Sequence, residues 1–392
     1  MRPNEKRKIF YRMFSASLLS ILLFLAGCTG QNTPVEDVPL DGETLALQWQ
    51  YASGSAINKH PLRIADVVVF VPHDGTLTAV DALTGELRWQ IDSPVDVWER
   101  SYTTNGKSIF IGLEGGKFTA IDARSGKIRW EVDLGIDVQV SPLVVGDTLY
   151  IPTTFVGPGL DSDPNKKATF FVLNIDDGQE LWSFETDNYI LQTPTLFGDV
   201  IYVGGSYYAP DIEIDEGGPM RVYALDAKSG TPIWEYEALD GFIKRMYATE
   251  HTVSYIAYQD FVNGIDTQTG ELSWRRDTGN WVPSMLGVED TAYFGSANTL
   301  VYAFDTTSGD IRWKHNILVG TFNYVMGSPV HVQDDLYFLT QHGDIMALSR
   351  SDGSLLWHIS TGITPRDGLT VSGGWLYFGD IDGIVYGYAS GN

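Results

Sequence analysis

A nine-residue pattern that recurs seven times limits what this chain can fold into. In its first copy, Asp81 is followed by Gly85 four residues later and by Trp89 eight residues later. The spacing is the same in every copy, and the first positions are Asp81, Asp122, Asn174, Asp226, Asp266, Asp305 and Ser349. Self-similar units about 40 residues apart are typical of a repeat architecture, in which each unit is one supersecondary element.

Each copy of the pattern predicts a hairpin that follows an apolar strand. The Asp, Asn or Ser side chain can accept hydrogen bonds from nearby backbone amides, and the glycine permits a tight turn. Each period therefore supplies about four short antiparallel strands, which make one blade of a β-propeller. Eight of the apolar strands carry an aromatic residue, at Phe70, Phe110, Tyr150, Tyr202, Tyr255, Tyr293, Tyr337 and Tyr377.

The two ends of the chain predict how the ring closes. Trp49 stands alone, with no turn pattern recognised before it, and the last unit, 383–389, stops before its own turn and Trp. Three strands within 363–389 and an outer strand over 46–51 would together complete one blade. The sequence thus predicts an all-β, eight-bladed propeller of four-stranded antiparallel blades over residues 46–392, closed by both termini. Such closure leaves few free sheet edges.

The pattern Asp-x-x-Thr/Ser-Gly-x-x-x-Trp resembles the tryptophan-docking motif of the PQQ-type β-propeller repeat family. That family includes quinoprotein dehydrogenases and also BamB-like lipoproteins, which are non-catalytic scaffolds of outer-membrane β-barrel assembly. The resemblance implies that each repeat Trp packs between neighbouring blades, where burial of one indole contributes roughly 2–3 kcal/mol. The docking residues implied in this way are Trp49, Trp89, Trp130, Trp182, Trp234, Trp274, Trp313 and Trp357.

Residues 1–27 have the organisation of a lipoprotein signal peptide. A basic stretch over 1–12 precedes an apolar run over 13–25, as in secretory signals. Leu25-Ala26-Gly27-Cys28 resembles a bacterial lipobox, which implies cleavage before Cys28 and lipidation of its thiol; an ordinary secretory signal with an incidental Cys is the alternative. Residues 28–45 predict a flexible tether. We therefore expect a lipid-anchored protein of the cell envelope, outside the cytoplasm and at the outer membrane where the host has one.

Composition excludes two kinds of interaction. The chain contains 50 acidic and 26 basic residues, for a net charge of −24, whereas nucleic acid requires a basic face. Cys28 is the one cysteine of the chain. Neither a disulfide within the chain nor a zinc site built from cysteine pairs can therefore form.

The sequence offers little support for an enzyme. For a quinoprotein dehydrogenase, the resemblance implies a quinone held by two adjacent cysteines in a disulfide, by Ca²⁺ and by a Trp below the ring. Because this chain has no cysteine pair, neither PQQ nor Ca²⁺ is expected, and a dehydrogenase is the alternative function. The seven histidines have no metal-ligand spacing. Two acidic stretches are weak calcium candidates, with exposed polar loops as the alternative: Asp161, Asp163, Asp211, Glu213 and Asp215.

Loop lengths predict where a partner binds. Two adjacent blades carry insertions near 153–168 and 205–220, on the same face as the loops that link one blade to the next. Aromatic and basic residues gathered in these linking loops have the composition of an interaction hot spot, although they could instead plug the central channel or pack under the inserted loops. We expect a monomeric ring that binds a protein segment or an extended polymer through Trp98, Tyr189, Lys244, Arg245, Trp281, Tyr324 and Arg366.

Overall fold

Every regular element in the described part of the chain is a β-strand. The structure, a computed structural model, describes residues 37–91, 97–113, 115–154, 168–186, 189–207, 220–238, 243–257, 261–317 and 324–391; for 97–101, 189–190, 207 and 238 it describes the backbone alone. Within these ranges, 33 strands form eight antiparallel sheets, and no helix has the length and apolar character to cross a bilayer. The prediction of an all-β, eight-bladed propeller is confirmed.

Seven blades consist of consecutive strands. Blade 1 contains β2 (Leu62–Ile64), β3 (Val67–Phe70), β4 (Leu77–Asp81) and β5 (Leu87–Ile91), and blade 2 contains β6 (Val97–Thr104), β7 (Ser108–Leu113), β8 (Lys117–Asp122) and β9 (Ile128–Asp133). Blade 3 contains β10 (Leu143–Val145), β11 (Thr148–Pro152), β12 (Thr169–Asn174) and β13 (Glu180–Glu185). Blade 4 has five strands, namely β14 (Tyr189–Leu191), β15 (Thr195–Phe197), β16 (Val200–Tyr207), β17 (Met220–Asp226) and β18 (Pro232–Ala238).

The remaining consecutive blades each have four strands. Blade 5 contains β19 (Ile243–Ala248), β20 (Thr252–Ala257), β21 (Phe261–Asp266) and β22 (Leu272–Asp277), and blade 6 contains β23 (Leu286–Val288), β24 (Thr291–Gly295), β25 (Leu300–Asp305) and β26 (Ile311–Asn316). Blade 7 contains β27 (Val325–Val332), β28 (Asp335–Thr340), β29 (Asp344–Ser349) and β30 (Leu355–Ser360).

Blade 8 joins the two ends of the chain, as the sequence predicts. It contains β31 (Thr370–Ser372), β32 (Trp375–Gly379), β33 (Ile384–Ala389) and, at its rim, β1 (Ala46–Ala52). β1 pairs antiparallel with β33, so that Ala46 lies opposite Ala389 and Ala52 opposite Ile384. The ring is therefore closed by hydrogen bonds between the first and last strands.

Each repeat Trp docks on the following blade. Its indole Nε1–H donates to a backbone carbonyl in the turn of that blade, at 2.8–3.1 Å in all eight cases. The turn glycine lies against the ring: a Cβ added at Gly309 would be 2.5 Å from Trp274. The glycine of the pattern therefore admits the indole as well as permitting the turn. The acceptors are Ala82, Ala123, Ile175, Ala227, Thr267, Thr306, Arg350 and Leu40.

The depth of each Trp depends on the residue opposite it in its own blade. Trp49 and Trp274 pair with Gly387 and Gly264, and a Cβ at either glycine would lie 2.2–2.3 Å from the indole. These two Trp side chains are 7% exposed, whereas the six that pair with Ala or Val are only partly buried. A second glycine thus lets the indole sink deeper.

The strand aromatics do not share one position in all eight blades. In six blades the aromatic residue pairs with the small residue under the Trp, as Tyr293 does with Ala303. Phe70 and Tyr255 instead pair one residue away, with Thr78 and Asn263. Because side chains alternate across a strand, a shift of one residue turns the ring to the opposite side of the blade.

An eighth turn precedes β1, where the sequence analysis recognised none. Asp41 stands eight residues before Trp49, its Oδ2 accepts from the Thr44 hydroxyl at 3.0 Å, and its carbonyl accepts from the Thr44 amide at 3.2 Å. Leu45 occupies the position of the usual glycine, while Gly42 supplies the close contact, because its Cβ would lie 2.3 Å from Trp357. The turn that joins two strands in other blades is here assembled from both ends of the chain.

The stretch 37–45 therefore packs on the ring, although the sequence placed it in the tether. Leu40 is 4% exposed. Its amide donates to the Tyr337 hydroxyl at 2.8 Å, and its carbonyl accepts from Trp357 at 3.1 Å. The packed part of the chain begins before residue 46, between blades 7 and 8.

Leu40→Ala is expected to lower the free energy of unfolding by about 3 kcal/mol, because the substitution leaves a cavity at the closing joint. Val38→Ala is the matched control, since Val38 is 43% exposed and its truncation should cost less than about 0.5 kcal/mol. Denaturant midpoints of the two variants measure the difference. Equal midpoints would mean that this segment contributes nothing to closure.

Candidate functional site

Two faces of the ring differ in the loops they carry. On one, which we call the loop face, the loops between blades lie beside the loops between the second and third strands of a blade. The amide of Ala297 donates to Trp281 O at 2.8 Å, and that of Gln341 to Tyr324 O at 2.9 Å. On the other, the turn face, the short turns meet, as where the Ala82 amide donates to Asp66 O at 2.9 Å. The predicted grouping of the two loop kinds is confirmed.

Three of the sequence-predicted partner residues form one cluster on the loop face. The Lys244 ammonium lies 5.0 Å from the ring centroid of Trp281 and donates to Val282 O at 3.2 Å. The rings of Trp281 and Tyr324 pack edge to face, with centroids 5.9 Å apart. Trp281 is nevertheless 41% exposed. Lys244, Trp281 and Tyr324, which we call the aromatic cluster, thus bridge blades 5, 6 and 7.

A β-bulge brings Lys244 and Arg245 into this region. Ile243 pairs with Ala257 and Arg245 with Ile256, so Lys244 is an extra residue in β19. A bulge of this kind redirects the side chains that follow it. Arg245 is largely enclosed, and burial lowers the pKa of its guanidinium, although the charge of Asp367 partly offsets that effect. Arg366, on the loop before β31, is exposed.

Polar residues near the ring axis form a second group, the axial group. Asp367 Oδ2 accepts from the backbone amide of His60 at 3.1 Å and from its Nδ1 at 2.9 Å. Lys59 donates to Tyr102 O at 2.9 Å and to the Ser141 hydroxyl at 2.6 Å, and its ammonium lies 4.2 Å from the Tyr102 ring centroid. These contacts connect blade 8 with blades 1, 2 and 3.

The axial group shifts two pKa values. Burial would raise the pKa of Asp367, but hydrogen bonds from His60, together with its charge and the amide of Gly368, outweigh burial and hold that pKa well below the ordinary 3.8. Burial, reinforced by the charge of Asp367, raises the pKa of Tyr102 far above 10. Asp367 is therefore a carboxylate and Tyr102 a neutral phenol at neutral pH.

Asp367→Asn is expected to lower the free energy of unfolding at pH 7 by about 2 kcal/mol, because it weakens the contact with His60. A carboxyl group whose pKa is lowered by folding stabilises the fold above its unfolded pKa, and this contribution disappears as the pH falls through the lower, folded pKa. The difference between wild type and variant should therefore shrink from pH 5 to pH 2. Denaturant midpoints across that range measure it, and a difference independent of pH would contradict the assignment.

The other predicted residues are placed less fully. Trp98 lies in β6 and Tyr189 in β14, where the backbone alone is described. Most of both predicted insertions and the weak calcium candidates Asp161, Asp163, Asp211, Glu213 and Asp215 lie outside the described residues. At the second insertion, β16 and β17 continue past the usual length, and Tyr189 of β14 pairs with Tyr207.

Sequence reasoning missed the axial group. His60 is one of seven histidines without metal-ligand spacing, and nothing in the sequence links it to Asp367, which is 307 residues away. One local signal was available: the polar run Asn58-Lys59-His60 in a linking loop, and the Arg366-Asp367 pair in another. Only the closed ring brings these two loops together.

Fold and docking geometry together define a class of protein. An eight-bladed ring in which every repeat indole docks on the turn of the next blade is a PQQ-type repeat propeller. A family model described as outer membrane protein assembly factor BamB matches residues 35–99, 73–217 and 191–392. This chain belongs to that family.

Individual relatives are distant. The outer membrane protein assembly factor BamB of Moranella endobia is 27% identical over 237 residues, which cover 55% of this chain and 58% of that protein. The quinohemoprotein alcohol dehydrogenase ADH IIB of Pseudomonas putida is 26% identical over 227 residues, 48% of this chain and 30% of that protein. The chain spans about half the length of the BamB relatives it matches.

A crystal structure has the same fold. BamB from Moraxella catarrhalis superposes with a TM-score of 0.63 at 19% identity, covering 88% of this chain and 99% of that one. At that identity the likeness concerns architecture alone.

The described residues near the axis include neither the cysteine pair nor the cluster of metal ligands that the dehydrogenase resemblance implies. Within the described ranges, no three His, Cys, Asp or Glu side chains converge as a metal site would require. Asp367 is already engaged by His60, and the one cysteine is Cys28.

Proposed function

We propose that this protein is a non-catalytic, lipid-anchored scaffold of the cell envelope that binds protein segments on its loop face during the assembly of outer-membrane β-barrel proteins. The aromatic cluster, with its exposed Trp281, is the observation that carries the proposal. The fold buries or half-buries all eight of its repeat indoles, yet leaves Trp281 41% exposed. Trp, Tyr and Arg are enriched among the interface residues whose truncation costs about 2 kcal/mol or more of binding energy. Membership of the BamB family supports the same role.

The binding role is tested by photo-crosslinking from the loop face. A photoreactive residue at position 281 of the full chain, in cells of the host, is expected to give adducts with one or a few envelope proteins. Ile128 is the matched control, because it is 61% exposed on an outer strand and far from the aromatic cluster. The same adducts from both positions would contradict a binding site on the loop face.

Lipid anchoring at Cys28 is tested separately. Cys28→Ala should move the protein from the membrane fraction to the soluble fraction, or leave the signal segment uncleaved, since a diacylated or triacylated anchor holds a protein stably at a bilayer. Mass measurement of the purified protein identifies the lipid. Wild-type protein recovered soluble with an unmodified Cys28 would overturn the anchor and leave the binding site untouched.

A quinone-dependent oxidoreductase is the second candidate, favoured by the similarity to the Pseudomonas putida dehydrogenase. Titration of the purified protein with PQQ and Ca²⁺ distinguishes the two functions. The scaffold proposal expects no bound-quinone absorption band and no dye-linked alcohol oxidation. A saturable band together with turnover would establish the oxidoreductase.

A further inference from the structure

The arginines of this chain fall into two groups. Of the eleven whose side chains are described, six lie within salt-bridge distance of a carboxylate, namely Arg88, Arg124, Arg221, Arg276, Arg312 and Arg350. Arg63 and Arg129 donate to a carbonyl and a hydroxyl, and Arg275 stacks on the Phe261 ring. Arg245 and Arg366 have no hydrogen bond or ion pair among the described residues.

That neither position has a partner in the described part of the chain is notable in so acidic a protein. With 50 acidic residues and 26 basic ones, carboxylates are abundant wherever the fold needs them. Asp367 follows Arg366 in sequence and acts on Arg245 through its charge. Its carboxylate is engaged by His60 through two hydrogen bonds. It therefore neutralises part of the local charge but offers neither guanidinium a direct contact.

Both arginines lie on the loop face, and Arg245 adjoins the aromatic cluster. Arg245 is next to Lys244, which sits against Trp281, and Arg366 is in a linking loop of the same face. The loop face thus carries two guanidinium groups without an ion pair among the described residues, and it also carries the exposed indole of Trp281. Arginine binds carboxylates with two parallel hydrogen bonds, and this pairing is strongest where water is partly excluded.

We propose that the segment bound at the loop face is an acidic stretch of polypeptide, whose carboxylates pair with Arg245 and Arg366 while an apolar or aromatic side chain packs on Trp281. This inference rests on the proposed function and names the chemistry of its partner. Carboxylates satisfy the two guanidinium groups, and a neighbouring apolar or aromatic side chain covers the exposed Trp281 ring, which a free phosphate would leave uncovered.

The net charge of −24 does not prevent such binding. Many of the acids lie in the short turns of the turn face, such as Asp81 and Asp305. Strands of five or six residues separate the two faces by about 20 Å, which is more than two Debye lengths of about 8 Å at physiological salt. The acids of the turn face therefore contribute little to the field that an approaching segment meets at Arg366.

The test uses the full-length protein in detergent and two fluorescent twelve-residue peptides, one alternating Glu with Tyr and the other alternating Gln with Tyr. At physiological salt we expect the Glu peptide to bind at least about tenfold more tightly than the Gln peptide. Arg366→Gln, at an exposed position where folding is not at risk, should weaken binding of the Glu peptide about tenfold and leave the Gln peptide unchanged. Arg245→Met should act in the same direction, with its fold checked by thermal melting.

Arg124→Gln is the matched control, because it removes the same charge from the turn face, where Arg124 pairs with Asp66. It should leave both affinities unchanged. Equal affinity for the two peptides, or an unchanged affinity in Arg366→Gln, would overturn the proposal. Displacement of the Glu peptide by millimolar inorganic phosphate or by anionic vesicles would overturn it as well, because the site would then take simple anions or lipid headgroups. Any of these results leaves crosslinking from position 281 as an independent test of the scaffold function.

Discussion

A chain that ends at Ser360 is expected to lose cooperative folding of the whole ring. The truncation removes β31, β32 and β33, and with them every strand that pairs with β1. It also removes Gly387, which lies beneath Trp49, and Asp367, which is hydrogen-bonded to His60. Two neighbouring blades thus lose their packing partner at once, and the closing joint is gone.

The loss should spread because each blade of a propeller buries its apolar faces only against its two neighbours. Opening the ring exposes the apolar surfaces of blades 1 and 7. We expect the thermal midpoint to fall by more than about 15 °C, or the transition to lose its cooperativity. Circular dichroism and calorimetry measure both effects.

A chain that ends at Ser390 is the control, because it retains β33 and the hydroxyl that accepts from the Asp41 amide at 2.9 Å. Its midpoint should stay within a few degrees of wild type. A chain ending at Ser360 that melts near the wild-type temperature would mean that the ring is not held by its ends.

Trp274→Ala should be the most damaging single substitution among the repeat tryptophans. Trp274 is 7% exposed, donates to Thr306 O at 3.0 Å, and lies between Gly264 and Gly309. Removal of the indole leaves a cavity that two glycines cannot fill, so the free energy of unfolding should fall by about 4–5 kcal/mol. Denaturant midpoints measure the change.

Two further variants show whether the cost of removing a Trp follows its burial. Trp182 pairs with Val172 and is only partly buried, so Trp182→Ala should cost about 3 kcal/mol. Trp281→Ala, at an indole 41% exposed, should cost less than about 1 kcal/mol. If Trp274→Ala and Trp182→Ala cost the same, the glycine beneath Trp274 does not determine its depth.

The repeat pattern predicted the ring because its residues determine local interactions, namely the turn within a blade and the contact of the Trp with the next blade. An acceptor, a glycine and an indole at constant spacing specify a turn and the packing of the next blade, and both are set within a few residues. The composite blade was predictable because the N-terminal end has a Trp strand without the three inner strands, and the C-terminal end has those three strands without a Trp strand. These features need no knowledge of long-range contacts.

The eighth turn escaped notice because Leu45 stands where glycine stands in other copies. Two other residues share the role that the pattern has in the other copies: Asp41 forms the turn, and Gly42 makes room for Trp357. The shifted rings of Phe70 and Tyr255 were equally hidden, since a shift of one residue changes the face of a strand without changing its apolar character.

The site was predicted in part. Residues of one linking loop, such as Trp281, were placed on the correct face because loop order fixes the face. Their contacts were not predictable, because Lys244 reaches Trp281 through a bulge and Asp367 meets His60 across the closed ring. Pairing between distant loops depends on the closed architecture rather than on spacing.

The most direct test of the scaffold account measures the amount of folded outer-membrane β-barrel proteins in host cells that lack the native gene. Restoration by the wild-type chain, by Arg124→Ala and by a triple variant with Ala at 244, 281 and 324 is compared, with the fold of each checked by thermal melting. We expect wild type and Arg124→Ala to restore the β-barrel proteins and the triple variant to fail although it is folded and membrane-bound. Full restoration by the triple variant would contradict the account.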